Sequence, residues 1–148
     1  MKVTLIGSGG GLDGFNSAGK GMSGGWIGHG LALLSACAKQ AGYEVDLLDR
    51  RALRDWDHFR EEIERRAPDV AGFGMLSVDF NPALKGIELV KEVNPQTIVV
   101  VGGPHPTLAP DEVMSNPLVD HVVLGEGEIT FVDMLGKFDR GEPVERVV

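Results

Sequence analysis

The chain has 148 residues, of which 43% are apolar and 24% charged, and its 14 basic and 22 acidic side chains give a net charge of −8. This length is typical of a single domain with one core. The negative charge repels phosphate backbones and anionic lipid surfaces, which argues against nucleic acid or a membrane as a partner. The single cysteine, Cys37, excludes an internal disulfide, and no apolar run reaches the roughly 20 residues that span a bilayer. Because the start of the chain is also too short for a signal peptide, we expect a cytoplasmic protein.

The spacing of apolar residues predicts strands and helices in alternation. In chain order, the predicted elements are strand Val3–Ile6, helix Leu31–Gln40, strand Glu44–Leu48, helix Trp56–Ala67, strand Val70–Leu76, a helix from Pro82 to Asn94, strand Thr97–Val101, strand Asp120–Leu124 and helix Ile129–Phe138. Asp55 and Asn81 are the predicted N-caps of the second and third helices, because their side chains can accept hydrogen bonds from the first backbone amides.

Five strands that alternate with helices predict one parallel sheet, since parallel strands need crossover connections. The simplest architecture is a doubly wound, Rossmann-like three-layer α/β sandwich with strand order 2-1-3-4-5 and helices on both faces. Residues 1–141 form the predicted domain. Residues 142–148 are predicted to be a tail or the start of a linker.

The stretch between Gly7 and Gly30 is rich in glycine and much longer than the roughly 2–6 residues usual for a connection in this fold. Gly9–Gly14 has the spacing of a dinucleotide-binding fingerprint, but no predicted helix follows it directly. Gly14–Gly21 resembles a phosphate-binding P-loop, but Gly21 stands where that loop carries the Ser or Thr that holds magnesium. The stretch therefore predicts a functional loop that folds over a ligand rather than either nucleotide site.

The expected ligand site lies beyond the carboxyl ends of the strands, between strands 1 and 3, where the strand order reverses. The segments that follow strands 1, 3, 4 and 5 are rich in glycine, which lets a ligand approach the backbone. The candidate ligand-contacting residues are Gly9, Gly10, Gly74, Met75, Leu76, Ser77, Gly102, Gly103, Pro104, His105, Gly125, Glu126 and Gly127.

Several of these residues also have a purely structural interpretation. Gly102 and Gly103 could form a tight turn that needs a positive φ. Gly125–Gly127 could be a turn into the last helix, with acidic residues favourable at its positive end. His105 could stabilise a turn instead of contacting a ligand. The sequence shows no set of ligands at zinc spacing and no nucleophile–base pair. No catalytic residue is therefore predicted, and the identity of any metal ligand is left open.

Three segments in the predicted order and spacing resemble the cobalamin-binding domain that precedes the core of cobalamin-dependent radical-SAM enzymes. These segments are Pro68–Gly74, Val99–Thr107 and Val119–Glu128. The resemblance runs from about Gly28 to Gly141 and implies a flavodoxin-like sheet with cobalamin as the cofactor. By this resemblance, the nucleotide tail of cobalamin enters near the ends of strands 1, 3 and 4, Ser77 and its neighbours contact the tail, Gly102–Pro104 line it, and Gly125–Gly127 lie at the rim.

Two departures from related cobalamin proteins shape the expected chemistry. The chain has no Asp-x-His-x-x-Gly motif to supply a histidine to cobalt, so the resemblance implies base-off cobalamin without that ligand. With one cysteine, the chain cannot bind the [4Fe–4S] cluster at which the parent enzymes use S-adenosylmethionine. We therefore expect either a fragment of a radical-SAM methyltransferase-type enzyme or a separate cobalamin carrier, with a radical-SAM domain as its partner in cis or in trans.

Two other functions fit the same predicted fold. The first is a flavodoxin-like module that binds a flavin or a nucleotide. The second is a ligand-free interaction domain, in which side chains such as Met75, Leu76 and Phe80 would fill the pocket. Cobalamin is the favoured ligand, because the Gly102–Thr107 block and the later Gly125–Glu128 block occur together.

Overall fold

The computed structural model describes residues 1–7, 14–18 and 28–148. Its elements in chain order are β1 (Lys2–Gly7), α1 (His29–Gln40), β2 (Glu44–Asp49), α2 (Trp56–Arg66), β3 (Val70–Gly74), α3 (Phe80–Val93), β4 (Ile98–Gly102), α4 (Pro104–Leu108), α5 (Pro110–Met114), β5 (His121–Val123) and α6 (Glu128–Arg140). All strand pairs are parallel, and the sheet order is β2-β1-β3-β4-β5. The predicted doubly wound topology is therefore confirmed.

Two apolar cores cover the two faces of the sheet, because successive strand residues point to opposite sides. On one face, Phe73 and Val99 pack against α2 and α3 through residues such as Phe59 and Ile87. On the other face, the cluster combines short-branched strand residues with side chains of α1 and α6. Its buried members are Val3, Leu5, Ala38, Val45, Val70, Val100, Val123, Phe131, Met134 and Leu135.

The element boundaries depart from prediction at several points. Strand β3 ends at Gly74 rather than Leu76, because the chain turns into a short 3₁₀ segment at Ser77–Asp79. The prediction of Asn81 as an N-cap is wrong, since α3 already begins at Phe80. The prediction of Asp55 as an N-cap is confirmed, because its carboxylate accepts a 2.8 Å hydrogen bond from the backbone N–H of His58.

The segment after β4 forms two short helices that the sequence interpretation treated as a loop. Helices α4 and α5 each begin with a proline at the first position, which is favoured there because proline lacks the amide hydrogen that would be unpaired. No helix among the described residues is long and apolar enough to cross a bilayer.

Residues 144–148 run alongside the outer edge of β5. The backbone N–H of Val122 donates to Arg146 O at 2.7 Å, and the N–H of Leu124 donates to Val148 O at 2.8 Å. The bridge between Val122 and Val147 is parallel. The segment therefore runs in the direction of β5, and Val148 lies at the carboxyl edge of the sheet.

Candidate functional site

Three glycines lie side by side at the carboxyl ends of β1, β3 and β4. Gly7 pairs with Gly74, and Gly74 pairs with Gly102. Paired residues of neighbouring strands face the same side of a sheet, and Gly7 shares its side with Leu5 of the core beneath α1 and α6. This glycine row, defined as Gly7, Gly74 and Gly102, keeps this end of the face free of strand side chains. The Leu31 side chain of α1 packs over two of them, 3.6 Å from where a Cβ of Gly7 would lie and 3.2 Å from where a Cβ of Gly74 would lie.

A cavity of about 920 Å³ lies over the glycine row. Its described walls include Leu31 and Leu34 of α1 and Phe131 of α6, together with Leu5 and Val100 of the sheet. Most of the remaining lining is backbone or aliphatic. The polar side chains among the described lining residues are Asp49, Arg51, Asp79, Thr107, Glu126 and Glu128. A cavity of this size and character is typical of a site for a largely apolar ligand held by a few polar groups.

Nine of the thirteen predicted contact residues line this cavity. They are Gly74, Met75, Leu76, Gly102, Gly103, Pro104, Gly125, Glu126 and Gly127. Ser77 and His105 are not among the described lining residues but contact each other beside the cavity, with Ser77 Oγ 3.1 Å from His105 Nδ1. Gly9 and Gly10 lie outside the described residues. The contacts of all thirteen with a ligand stay predictions.

Sequence reasoning missed the contribution of the helices to this cavity. Leu31, Leu34 and Phe131 line it, but their spacing in the sequence indicated only ordinary core residues. Gly7 was placed in the segment after strand 1 that was expected near the ligand, but it was not among the predicted contact residues. The available signal for Gly7 was that three of the five predicted strands end in or run directly into glycine.

Gly102 and Gly103 have different roles although they are neighbours. A Cβ on Gly102 would lie 3.7 Å from Val123 O, an ordinary contact, so packing does not require a glycine there. Gly103 has φ +111° and ψ −170°, a conformation essentially restricted to glycine. A Cβ on Gly103 would also lie 3.0 Å from Met75 O. Gly103 therefore meets a backbone requirement, whereas Gly102 opens the cavity.

Backbone hydrogen bonds tie the loop after β3 to the turn at Gly102–His105, where β4 ends and α4 begins. The N–H of Met75 donates to Gly102 O at 2.9 Å, and the N–H of His105 donates to Met75 O at 3.1 Å. These two bonds fix Met75, which is 1% exposed, between the loop and the turn. The cavity wall formed by the loop and the turn is therefore held by backbone rather than by side chains alone.

The Thr107 side chain, on α4, links the turn at Gly103 to the loop after β5. Its Oγ1 donates to Gly103 O at 2.8 Å and accepts from the N–H of Gly125 at 3.0 Å. One hydroxyl thus uses both its donor and an acceptor position to join two glycine turns at the cavity. Thr107 belongs to the motif that carries the family resemblance, although it was not predicted as a contact residue.

We expect Thr107→Val to lower the free energy of unfolding by about 1 kcal/mol, because the change removes two hydrogen bonds at a solvent-accessible position. Urea denaturation of the purified domain measures this change. Thr107→Ser keeps the hydroxyl and should retain most of the stability. A valine variant as stable as the wild type would show that the hydroxyl does not stabilise this link.

Charged groups lie at the end of the cavity near β2. Arg51 forms a two-pronged ion pair with Asp49, with the shortest N–O distance at 2.6 Å. Burial raises the pKa of Asp49, but hydrogen bonds from the side chain and backbone of Arg51 outweigh it, so the net pKa lies below its usual value. Burial lowers the pKa of Arg50, against the opposing charges of Asp79 and Asp49. Asp49 and Arg51 are thus both charged at neutral pH, and their opposite charges balance each other.

Among residues 1–7, 14–18 and 28–148, no group of three or more histidine, cysteine, aspartate or glutamate residues could hold a metal ion. His105, beside the cavity, is 8% exposed and packs edge-on against Phe80, with the ring centroids 4.9 Å apart. The described part of the cavity thus offers a shaped, mainly apolar space without a metal centre of its own.

Residues 23–135 match the family model described as the B12 binding domain. Over 130 residues the chain is 29% identical to the anaerobic magnesium-protoporphyrin IX monomethyl ester cyclase of Rubrivivax gelatinosus, an alignment that covers 86% of this chain and 23% of the cyclase. The chain thus spans about a quarter of that relative.

Two solved structures share the fold. One is the radical S-adenosylmethionine methyltransferase TsrM from Kitasatospora setae with cobalamin and a [4Fe–4S] cluster bound, with a TM-score of 0.77 and 18% identity over 97% of this chain and 25% of that chain. The other is a cobalamin-binding protein from Desulfitobacterium hafniense, with a TM-score of 0.66 and 13% identity over 93% of this chain and 58% of that chain. At these identities the likeness establishes the common fold.

Proposed function

Because this chain belongs to the B12-binding domain family, with cobalamin as its cofactor, we propose that it holds the nucleotide tail of cobalamin in the cavity above the glycine row. The observation that carries this proposal is the alignment of Gly7, Gly74 and Gly102 in register on one face of the sheet. When bound, cobalamin supplies cobalt-centred chemistry such as methyl transfer, while the protein supplies placement and environment.

The residues present fit this cofactor. The tail ends in a flat, largely apolar benzimidazole, and the space above the glycine row is bounded by backbone on one side and by Leu31 and Phe131 on the other. A side chain at Gly102 would project into this space, whereas a Cβ at Gly74 would press on the Leu31 side chain at 3.2 Å. The backbone at Gly102 is therefore open to the cavity, which is the arrangement that a planar ring needs to lie against a sheet.

The predicted contact residues divide by position in this proposal. Gly74, Gly102 and Gly103 would lie against the tail, and Met75, Leu76 and Pro104 would form the wall beside it. Ser77 and His105 would act from beside the cavity, and Gly9 and Gly10 from the glycine-rich stretch. Gly125, Glu126 and Gly127 would lie at the rim beneath the corrin. In the absence of an Asp-x-His-x-x-Gly motif, the cofactor would be base-off without a histidine ligand from that motif.

The proposal extends to a radical-SAM partner domain, in cis or in trans, that faces the cavity. The alignments cover only 23% and 26% of two relatives, and the single cysteine cannot hold an iron–sulfur cluster. Residues 1–141 would form the cobalamin-binding domain, and residues 142–148 would lead along β5 to the carboxyl edge of the sheet. Apolar side chains that lie exposed near this edge are available to such a partner, namely Leu76, Val78, Leu108 and Ile129.

The acidic composition supports the remaining parts of the proposal. A net charge of −8 disfavours nucleic acid and anionic membranes as partners, and we propose a cytoplasmic location. The substrate of the complete enzyme would be selected mainly outside this domain.

The direct test is a titration of the purified protein with hydroxocobalamin and methylcobalamin, followed by gel filtration and visible absorption spectroscopy. We expect cobalamin to co-elute with the protein and to show a base-off spectrum. Flavin mononucleotide, run in parallel, should separate from the protein. Complete separation of both corrins at protein concentrations well above micromolar, or co-elution of the flavin alone, would contradict the proposal.

A further inference from the structure

His105 is a buried polar side chain whose contacts are only partly satisfied. Its side chain is 10% exposed, and Nε2 has no hydrogen-bond partner in good geometry among the described residues. The nearest acceptor is the carboxylate of Glu112 on α5, with Oε2 3.5 Å from Nε2. A buried ring nitrogen next to a carboxylate is unusual enough to need an explanation.

The other side of the ring faces the loop after β3. His105 Nδ1 lies 3.1 Å from Ser77 Oγ, and the His105 backbone N–H donates to Met75 O at 3.1 Å. The ring also packs edge-on against Phe80. His105 thus contacts the residues on both sides of Leu76, which lines the cavity and is 40% exposed.

The carboxylate of Glu112 selects the tautomer of the neutral ring. A carboxylate repels a nitrogen lone pair and attracts an N–H, so it favours the hydrogen on Nε2. Nδ1 then carries the lone pair and accepts the hydrogen bond from the Ser77 hydroxyl. In the opposite tautomer, the Nε2 lone pair would point at the carboxylate and the Ser77 hydroxyl would lose its acceptor.

We propose that His105 is a positioning residue and that Glu112 controls it, so that Glu112, His105 and Ser77 together fix the loop that presents Leu76 to the cofactor. This inference rests on the proposed function, because the loop is taken to line the cobalamin tail. Glu112 acts on the loop through His105, because its own side chain is 55% exposed and is not among the described residues that line the cavity.

The test is to measure the hydroxocobalamin dissociation constant of Glu112→Ala by visible absorption. We expect about fivefold weaker binding, with Glu112→Gln restoring affinity to within about twofold because its amide oxygen still accepts from Nε2–H. Asp111→Ala is the matched control, since it removes the same charge from the neighbouring position of α5, and it should leave the dissociation constant unchanged. Wild-type affinity in Glu112→Ala, or an equal loss in Asp111→Ala, would overturn the proposal.

A second measurement separates this proposal from the proposed function. Nitrogen-15 NMR of the histidine rings in the protein without added cobalamin reports the tautomer directly. We expect the Nε2–H form of His105 in the wild type and a mixture in Glu112→Ala. A wild-type ring protonated on Nδ1 alone would overturn the positioning role even if cobalamin binds. Failure of the wild type to bind cobalamin, with the expected tautomers present, would instead refute the proposed function.

Discussion

Replacement of Gly102 by valine is expected to weaken cobalamin binding by about 100-fold, or about 2.7 kcal/mol, without a comparable loss of stability. The side chain would enter the cavity at the β4 end of the glycine row, where the nucleotide tail is proposed to lie. The fold should tolerate it, because a Cβ at this position meets Val123 only at 3.7 and 3.8 Å and β-branched residues suit strands. Titration with hydroxocobalamin gives the affinity, and urea denaturation gives the stability.

Two further variants test whether the loss of affinity comes from side-chain volume inside the cavity. Gly102→Ala adds a single methyl group and should weaken binding by about tenfold, so the loss should grow with the volume added. Gly136→Ala on α6 adds the same methyl group away from the cavity, where it meets the end of the Arg140 side chain and, at 3.9 Å, the Tyr43 hydroxyl, and should bind as the wild type does. A dissociation constant for Gly102→Val within threefold of the wild type would place the tail elsewhere.

Gly103→Ala, in contrast to the Gly102 variants, should destabilise the fold. We expect a loss of about 3 kcal/mol in the free energy of unfolding. Alanine is strained at φ +111° and ψ −170°, by about 1–3 kcal/mol. Its Cβ would also lie 3.0 Å from the carbonyl oxygen of Met75. The N–H of Met75 donates to Gly102 O, so a shift of Met75 would disturb that bond too. The midpoint and slope of urea denaturation measure the change.

Gly102→Ala is again the matched control, because it makes the same substitution one residue earlier, where no strain is expected. It should change the free energy of unfolding by less than about 1 kcal/mol, in the range usual for substitutions that disturb no special feature. If Gly103→Ala were as stable as Gly102→Ala, the positive φ would not be required and the turn would have relaxed.

Much of the fold could be predicted because local patterns and topology agree. The β-branched run at β4, the apolar spacing on α2 and the N-cap at Asp55 each indicate one element, and parallel strands joined by helices leave few possible arrangements. The errors lie where tertiary contacts decide the outcome. Strand β3 ends at Gly74 because Met75 O accepts from the N–H of His105 in α4 and the chain turns into the 3₁₀ segment at Ser77–Asp79. Helix α3 begins at Phe80, one residue before the predicted N-cap.

The sequence predicted where the site lies in the fold, but not all of the side-chain contacts around it. Glycine-rich segments at the carboxyl ends of strands indicate a ligand site at the point where the strand order reverses, and nine predicted residues line the cavity. Ser77 and His105 instead contact each other beside it. The pairing of His105 with Glu112 was not predicted, because no local pattern distinguishes a histidine that faces a ligand from one that faces a carboxylate.

The sequence by itself determined the sheet order, the edge of the sheet that carries the site, and the family to which the chain belongs. These properties follow from hydrophobic periodicity, glycine positions and motif order, all of which are recorded along the chain. Only the tertiary structure decided that Gly7, Gly74 and Gly102 form one row, that α1 and α6 close the cavity over it, and that Gly103 differs from Gly102. Those distinctions depend on strand register, helix packing and backbone φ, which arise when segments distant in sequence come into contact.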